Sequence, residues 1–243
     1  MPSRAAAPRL THFLCLPLVT SASRPQLQAN LTTFRAEVTQ ATPENPGGIP
    51  DRAVRPVGTL HLTLGVMSLL TPARVEAAMT LLRSLDLRGQ MPSREGQVLQ
   101  ESNSRPAPLT ITLRGLESMH DPAQTTVLYV APLDEDRSVY AFCLRLKEAF
   151  SAAGLLVPDT RPLLLHATII NTVYVASIKD RESGHGKRRA RLTFDARDIL
   201  HRYEDFEWMS DARVEKVAVC RMGAREVEGG DEEYVVEGEV DIT

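Results

Sequence analysis

The chain has 243 residues, a mass of 26.8 kDa and a formal net charge of −3, from 28 Lys and Arg against 31 Asp and Glu. Its 43% hydrophobic and 24% charged residues are those of an ordinary globular protein, which excludes collagen-like and low-complexity chains and allows one generous domain or two small ones. The near-neutral balance excludes a uniformly basic coat for gripping nucleic acid, and no apolar run reaches the roughly 18 residues of a transmembrane helix.

Residues 1–9 are expected to be disordered, and residues 10–243 to form one domain. Leu10–Val19 is apolar and predicts a strand. Arg4 and Arg9 before it and Thr20-Ser21-Ala22-Ser23 after it imitate a signal peptide. The run is short and contains His12 and Pro17, which favours the strand. Ser23 then offers an N-cap, and Leu27, Leu31, Phe34 and Val38 recur at helical spacing through Gln40. Thr42–Pro56 holds three prolines between Pro43 and Pro50 and the pair Gly47-Gly48, the composition of a loop. Thr59–Leu69 predicts a second strand. Thr71 caps a helix with Pro72 at its first position, carried to Leu87 by Val75, Ala78, Met79, Leu82 and Leu85.

Gln90–Pro108 is polar and predicts a long loop, followed by strands over Leu109–Leu116 and Thr125–Leu133. A helix is predicted from Arg137 to Ala153, with Val139, Phe142, Cys143, Leu146 and Phe150 inward and Gly154 as its stop. Leu163–Tyr174 predicts a strand, Ile178–Arg191 a charged loop and Phe194–Tyr203 a short helix. Val214–Arg221 and Tyr234–Ile242 close the chain as paired strands around Gly229-Gly230. Strands and helices mixed in this order, with hairpin-length links, predict an α+β protein with largely antiparallel sheet.

Cys15, Cys143 and Cys220 are odd in number and form no Cys-x-x-Cys. They argue for a reducing compartment, against a disulfide framework, and for buried thiols that pack as small hydrophobes.

Two strands carry the same short pattern, Leu60-His61-Leu62-Thr63-Leu64-Gly65 and Leu165-His166-Ala167-Thr168-Ile169. Alternate residues of a strand share a face, so His61 and Thr63 point one way and the leucines the other. His166 and Thr168 repeat the arrangement. A polar residue amid an apolar strand needs a partner or a task. Two imidazoles facing one cleft suit acid–base chemistry on a phosphodiester, since an unperturbed pKa of about 6.5 makes both protonation states accessible. Hydroxyls beside them can bind non-bridging phosphate oxygens. Metal binding lacks a third ligand at suitable spacing, and no Gly-x-Ser-x-Gly elbow marks a serine hydrolase. On spacing alone, two satisfied core histidines explain the pattern equally well.

Paired His-x-Thr strands 105 positions apart are the signature of the 2H phosphoesterase superfamily. The blocks Thr11-His12-Phe13-Leu14, Leu60–Leu70, Leu165–Thr172 and Phe194–Leu200 are similar to the domain type shared by the activating signal cointegrator 1 complex and A-kinase anchoring proteins. The resemblance runs from about Leu10 to Ile242. It implies a bilobal α+β fold, with two mainly antiparallel sheets flanking a central cleft and helices outside. It also implies His61 and His166 as the acid–base pair, in unassigned order, and Thr63 and Thr168 as phosphate ligands. The activity implied is a phosphodiesterase free of metal and cofactor, acting on RNA ends, 2′,5′-linked oligonucleotides or cyclic nucleotide phosphates. The alternative is a nucleotide- or RNA-binding subunit of a nuclear coactivator or repair complex with weak or no catalysis. Expected partners are RNA or a small nucleotide phosphate and subunits of an activating signal cointegrator-like complex, in nucleus or cytoplasm. No membrane partner is expected, and the chain alone is expected to be a monomer.

Two further features remain. Tyr174 follows His166 by eight positions and, in an unbroken strand, lies on the cleft side, where it can stack on a base. A tyrosine at the end of a strand explains it as well. Lys187, Arg188, Arg189 and Arg191 form a basic run able to contact nucleic acid or to remain a solvated loop. The small net charge conceals an asymmetry, because Lys179–Arg191 carries a local +4 and Glu226–Asp241 a local −8.

Overall fold

The computed structural model describes residues 7–43, 45–91, 108–175 and 191–242. Leu14 and Leu16 on β1 (His12–Pro17) and Leu62 and Leu64 on β2 (His61–Met67) are buried in the main core, and this shared apolar face fixes the register of the largest sheet. β1 pairs antiparallel with β2, setting Cys15 opposite Thr63 and Pro17 opposite His61, with a bulge between Leu14 and Cys15. On its other side β1 pairs with β9 (Lys216–Arg221), which pairs with β12 (Val236–Asp241). The order is therefore β12-β9-β1-β2.

Helix α1 (Arg24–Val38) buries Leu27, Leu31, Phe34 and Val38, and α2 (Pro72–Ser84) buries Ala78, Met79 and Leu82. Both stop short of the predicted ends. Thr71 caps α2 by accepting from the Arg74 N–H, as the sequence predicts. Ser23 does not cap α1. Its hydroxyl donates to the Leu18 carbonyl at 2.6 Å and accepts from the Thr20 N–H, closing the turn between strand and helix.

A second body of structure comes from two three-stranded antiparallel sheets. One joins β4 (Glu117–Ser118), β5 (Val127–Val130) and β7 (Ala167–Asn171); the other joins β6 (Pro132–Leu133), β3 (Thr110–Arg114) and β8 (Glu207–Arg213). Helix α3 (Ser138–Ala152) buries the five residues its spacing predicts. Its first turn is held by Asp134, whose carboxylate accepts from the N–H groups of Val139 and Tyr140, and Gly154 at φ +62° ends it. A short α4 (Arg197–Arg202) follows, and a two-stranded hairpin, β10 (Arg225–Glu226) with β11 (Glu232–Glu233), turns through Gly229 and Gly230 at positive φ.

This is the mixed, largely antiparallel α/β architecture expected, with three corrections. The sheet material opposite the four-stranded sheet is divided into two sheets, because the predicted strand Thr125–Leu133 breaks into β5 and β6, which join different neighbours. Strand β8 was not predicted. The predicted strand Leu163–Tyr174 shortens to β7, and Thr172–Tyr174 forms a single 3-10 turn held by the Asn171 side chain, which accepts from the Val173 N–H. Most of the predicted loops 90–108 and 178–191 lies outside the described residues. No helix among the described residues is long and apolar enough to cross a membrane.

The segment preceding β2 ties that strand to β7. Val54 bridges Ile170, and the Arg55 N–H donates to the Ile169 carbonyl at 2.8 Å. The Arg35 guanidinium on α1 holds the same segment through the Asp51 carboxylate and the Asp51 and Val54 carbonyls. Residues 51–59 are thus anchored on both sides just before His61.

Candidate active site

Strand parity places His61 and Thr63 together, half-buried, while Leu60, Leu62 and Leu64 enter the core. Beside them, Phe13, Cys15, Ala218 and Cys220 form a small buried cluster joined by Val66 and Tyr234, on the face of the four-stranded sheet opposite the one that carries Leu14, Leu16, Leu62 and Leu64. The Cys15 and Cys220 sulfurs are 3.9 Å apart, and all three thiols are free and buried.

Each histidine is fixed in the same way. His61 Nδ1 lies 2.7 Å from the Thr59 carbonyl, and His166 Nδ1 lies 2.9 Å from the Leu164 carbonyl, two residues back in both cases. A carbonyl can only accept, so Nδ1 carries the proton in each ring and Nε2 is left for chemistry. His61 Nε2 accepts from the Thr63 hydroxyl at 3.0 Å. His166, immediately before β7, has no Nε2 partner among the described residues, and Thr168 on β7 lies opposite Tyr129. Aromatic rings hold the imidazoles. Phe13 and Tyr234 have centroids 4.7 and 5.2 Å from His61, and Tyr129 lies 5.6 Å from His166. Tyr129 donates to Glu117, and burial with that carboxylate pushes its phenol up to about 12.

Burial pushes His61 down to about 4; the Thr59 carbonyl opposes this, while His166 and Arg55 add to it through charge repulsion. The two rings therefore sit within electrostatic reach, and His61 is a neutral imidazole at neutral pH. A histidine folded with its pKa below the unfolded value of about 6.5 contributes stability above that pH and loses it as pH falls through about 4. We expect the wild-type unfolding free energy from urea titration to fall across that window by on the order of 2 kcal/mol from His61, solvent screening at its partial exposure holding the effect below that of the full shift. His12, lowered chiefly by burial, adds in the same sense. His61→Asn should flatten part of the decline; an unchanged slope would show that His61 titrates normally.

Nothing in the sequence singles out Arg55. It is 4% exposed, and its guanidinium carbon sits 3.7 Å from the Tyr174 ring centroid. Tyr234, whose phenol burial pushes up to about 12, lies within electrostatic reach of both Arg55 and Tyr174. Tyr174 thus joins the His61 side through this row, and not through a continuous strand.

The structure brings His61, Thr63, His166 and Thr168 into one region and adds Phe13, Tyr129, Tyr234 and Arg55, which the sequence reading missed. Lys187, Arg188 and Arg189 lie outside the described residues; Arg191 is exposed. No group of three or more His, Cys, Asp or Glu able to hold a metal ion occurs among the described residues.

Comparison with known proteins bears on the family and the fold. Residues 10–242 match the family model described as the AKAP7 2′5′ RNA ligase-like domain. The mouse activating signal cointegrator 1 complex subunit 1 is 27% identical over 206 residues, covering 81% of this chain and 54% of that protein. An uncharacterized protein of Schizosaccharomyces pombe is 28% identical over 117 residues, covering 48% of this chain and 50% of that protein. The chain thus spans about half the length of these curated relatives. Among solved structures, E. coli LigT complexed with 3′-AMP aligns at TM-score 0.53 with 14% identity, covering 96% of this chain and 98% of that one. A structure described as a phosphoesterase aligns at 0.51 with 15% identity and the same coverages. At these identities the likeness establishes the fold.

Proposed function

The chain belongs to the AKAP7 2′5′ RNA ligase-like domain family, within the 2H phosphoesterase superfamily, and on that premise we propose that it is a metal-independent phosphodiesterase with His61 and His166 as its acid–base pair. The substrates are RNA ends, 2′,5′-linked oligonucleotides or cyclic nucleotide phosphates. The observation that carries this reading is the repeated Nδ1–H to carbonyl bond, which leaves Nε2 of both rings for proton transfer. Two core histidines satisfied by packing have no need of the same tautomer at the same backbone offset.

His61, neutral at pH 7, takes the proton from the attacking hydroxyl or water as oxygen bonds to phosphorus. His166, as imidazolium, gives a proton to the leaving oxygen as the old P–O bond breaks. The two protons then exchange with solvent, restoring both rings. Thr63 and Thr168 donate to the non-bridging oxygens as negative charge builds there; for Thr63 this means exchanging its hydrogen bond with His61 for one with phosphate. A nucleotide ligand is supported by the fold shared with LigT, which holds 3′-AMP in its crystal.

The mouse relative is named as a subunit of the activating signal cointegrator 1 complex. That supports a place for this chain beside subunits of such a complex, in nucleus or cytoplasm, and favours one competing reading, a nucleotide-binding subunit with weak or no catalysis. A screen of 2′,5′-linked, 3′,5′-linked and 2′,3′-cyclic substrates in EDTA separates the two. The phosphodiesterase reading expects hydrolysis of at least one class at a rate EDTA leaves unchanged. AMP binding without product from any class supports the binding subunit instead. Loss of activity in EDTA that Zn²⁺ or Mg²⁺ restores contradicts the metal-free mechanism.

A further inference from the structure

A cavity of about 580 Å³ adjoins Arg55 and Tyr174, walled also by Arg35, Arg52 and the Gly229-Gly230 turn; His61 is not among its walls. Its size falls in the range of small-molecule sites. Arg55 is nine-tenths buried or more, its Nη2 has no hydrogen-bond partner, and no carboxylate pairs with it among the described residues. Three acids also line the cavity, Asp51, Asp231 and Glu232, and the first two are engaged elsewhere. Asp51 accepts from Arg35, and Asp231 accepts from Arg24 and from the Gly58 N–H. A buried guanidinium with no counter-charge is costly unless an anion supplies one. Tyr174 is 45% exposed, with one ring face against that guanidinium and the rest of the ring open.

These features form a row. His61 packs edge-on to Tyr234, Tyr234 neighbours Arg55 and Tyr174, and these two, stacked on each other, line the cavity. We infer that this cavity takes the neighbouring nucleotide of an oligonucleotide whose scissile phosphate lies at the two histidines. Tyr174 stacks on its base, and Arg55 is the positioning residue that fixes the Tyr174 ring and presents positive charge towards the adjacent phosphate. The inference rests on the reading that the histidines receive a phosphodiester, and it narrows the substrate class to oligonucleotides over isolated mononucleotides. A phenol ring suits this task because every base has a π-face, so stacking needs no particular sequence.

The test is the length dependence of binding. Fluorescein-labelled oligoadenylate tetranucleotide is titrated by anisotropy into the full chain, with unlabelled AMP as competitor, at one fixed salt concentration. The wild type is expected to bind the tetranucleotide at least about tenfold more tightly than AMP. Tyr174→Ala and Arg55→Met should bring the ratio to within about threefold of unity, while Tyr174→Phe, which keeps the ring, should preserve it. Arg55→Met removes a buried group and can fail to fold; Tyr174 is exposed, so its variants decide the matter alone. Equal wild-type affinities, or a ratio that persists in Tyr174→Ala, overturns the inference. The two readings fail separately. A length preference lost in Tyr174→Ala without hydrolysis of any substrate refutes the enzyme and keeps the cavity. Hydrolysis of 2′,3′-cyclic AMP with a ratio near unity does the reverse.

Discussion

Replacing His61 or His166 with alanine is expected to lower kcat by roughly 10²–10⁴-fold, the contribution of one positioned general acid or base. Either loss alone should approach the loss of both, because a proton taken at one oxygen is useful only if another is delivered opposite, and residues acting as a unit are strongly non-additive. The fold should survive. His166 is only partly buried, and His61 touches the core through its ring contacts with Phe13 and Tyr234. Asparagine is the more informative replacement. Its side-chain amide can still donate to the Thr59 or Leu164 carbonyl, so the backbone partner stays satisfied while the Nε2 function disappears. The His61→Asn and His61→Ala proteins should therefore be equally inactive but unequal in stability. Activity within threefold of wild type in either position would remove that histidine from the mechanism.

The largest stability effect is expected far from the histidines, at Trp208. Its side chain is 0% exposed, its indole N–H donates to the Gly115 carbonyl at 2.8 Å, and Phe34 and Phe206 stand edge-on at 5.0 Å. Trp208→Ala should cost about 3–5 kcal/mol, a large share of the roughly 5–15 kcal/mol that stabilises a typical domain. Trp208→Phe keeps the packing but leaves the Gly115 carbonyl without its donor, and should cost less, about 1–3 kcal/mol. Urea midpoints measure both. An alanine variant within about 1 kcal/mol of wild type, well below that range, would show that the aromatic cluster closes over the gap. The same cluster reaches the site indirectly. Phe34 is on α1, and Arg35 beside it holds the segment that leads into His61.

Trp208 also shows where sequence reasoning lost the fold. Strand β8 reads Glu207-Trp208-Met209-Ser210-Asp211-Ala212-Arg213, with two adjacent buried residues and Asp211 at φ +47°, so it has no clean period of two. Its pairing with β3 shifts register twice, which a pattern of alternation cannot anticipate. Strands β1 and β2 were legible because Leu14, Leu16, Leu62 and Leu64 obey parity, and the same parity put His61 beside Thr63. The helices were legible from their buried stripes, though Ser23, which the sequence offers as a cap, bonds the Leu18 carbonyl instead. Arg55 was not legible at all. It lies in a proline-containing loop, arginine is seldom fully buried, and only the bridge from that loop to β7 brings it to Tyr174. Tyr174 was placed by parity on a strand that ends three residues earlier, and it stands in a 3-10 turn beyond it.

The central claim is that two imidazoles move protons on a phosphodiester without a metal. It is tested most directly by single-turnover conversion of an end-labelled RNA bearing a 2′,3′-cyclic phosphate, with the chain in excess and EDTA present. Should the screen select another linkage, that substrate takes its place. The account predicts full conversion by the wild type in an interval in which His61→Asn and His166→Asn yield no product above the uncatalysed background. Equal conversion by all three proteins, or none by the wild type on every linkage, would contradict it.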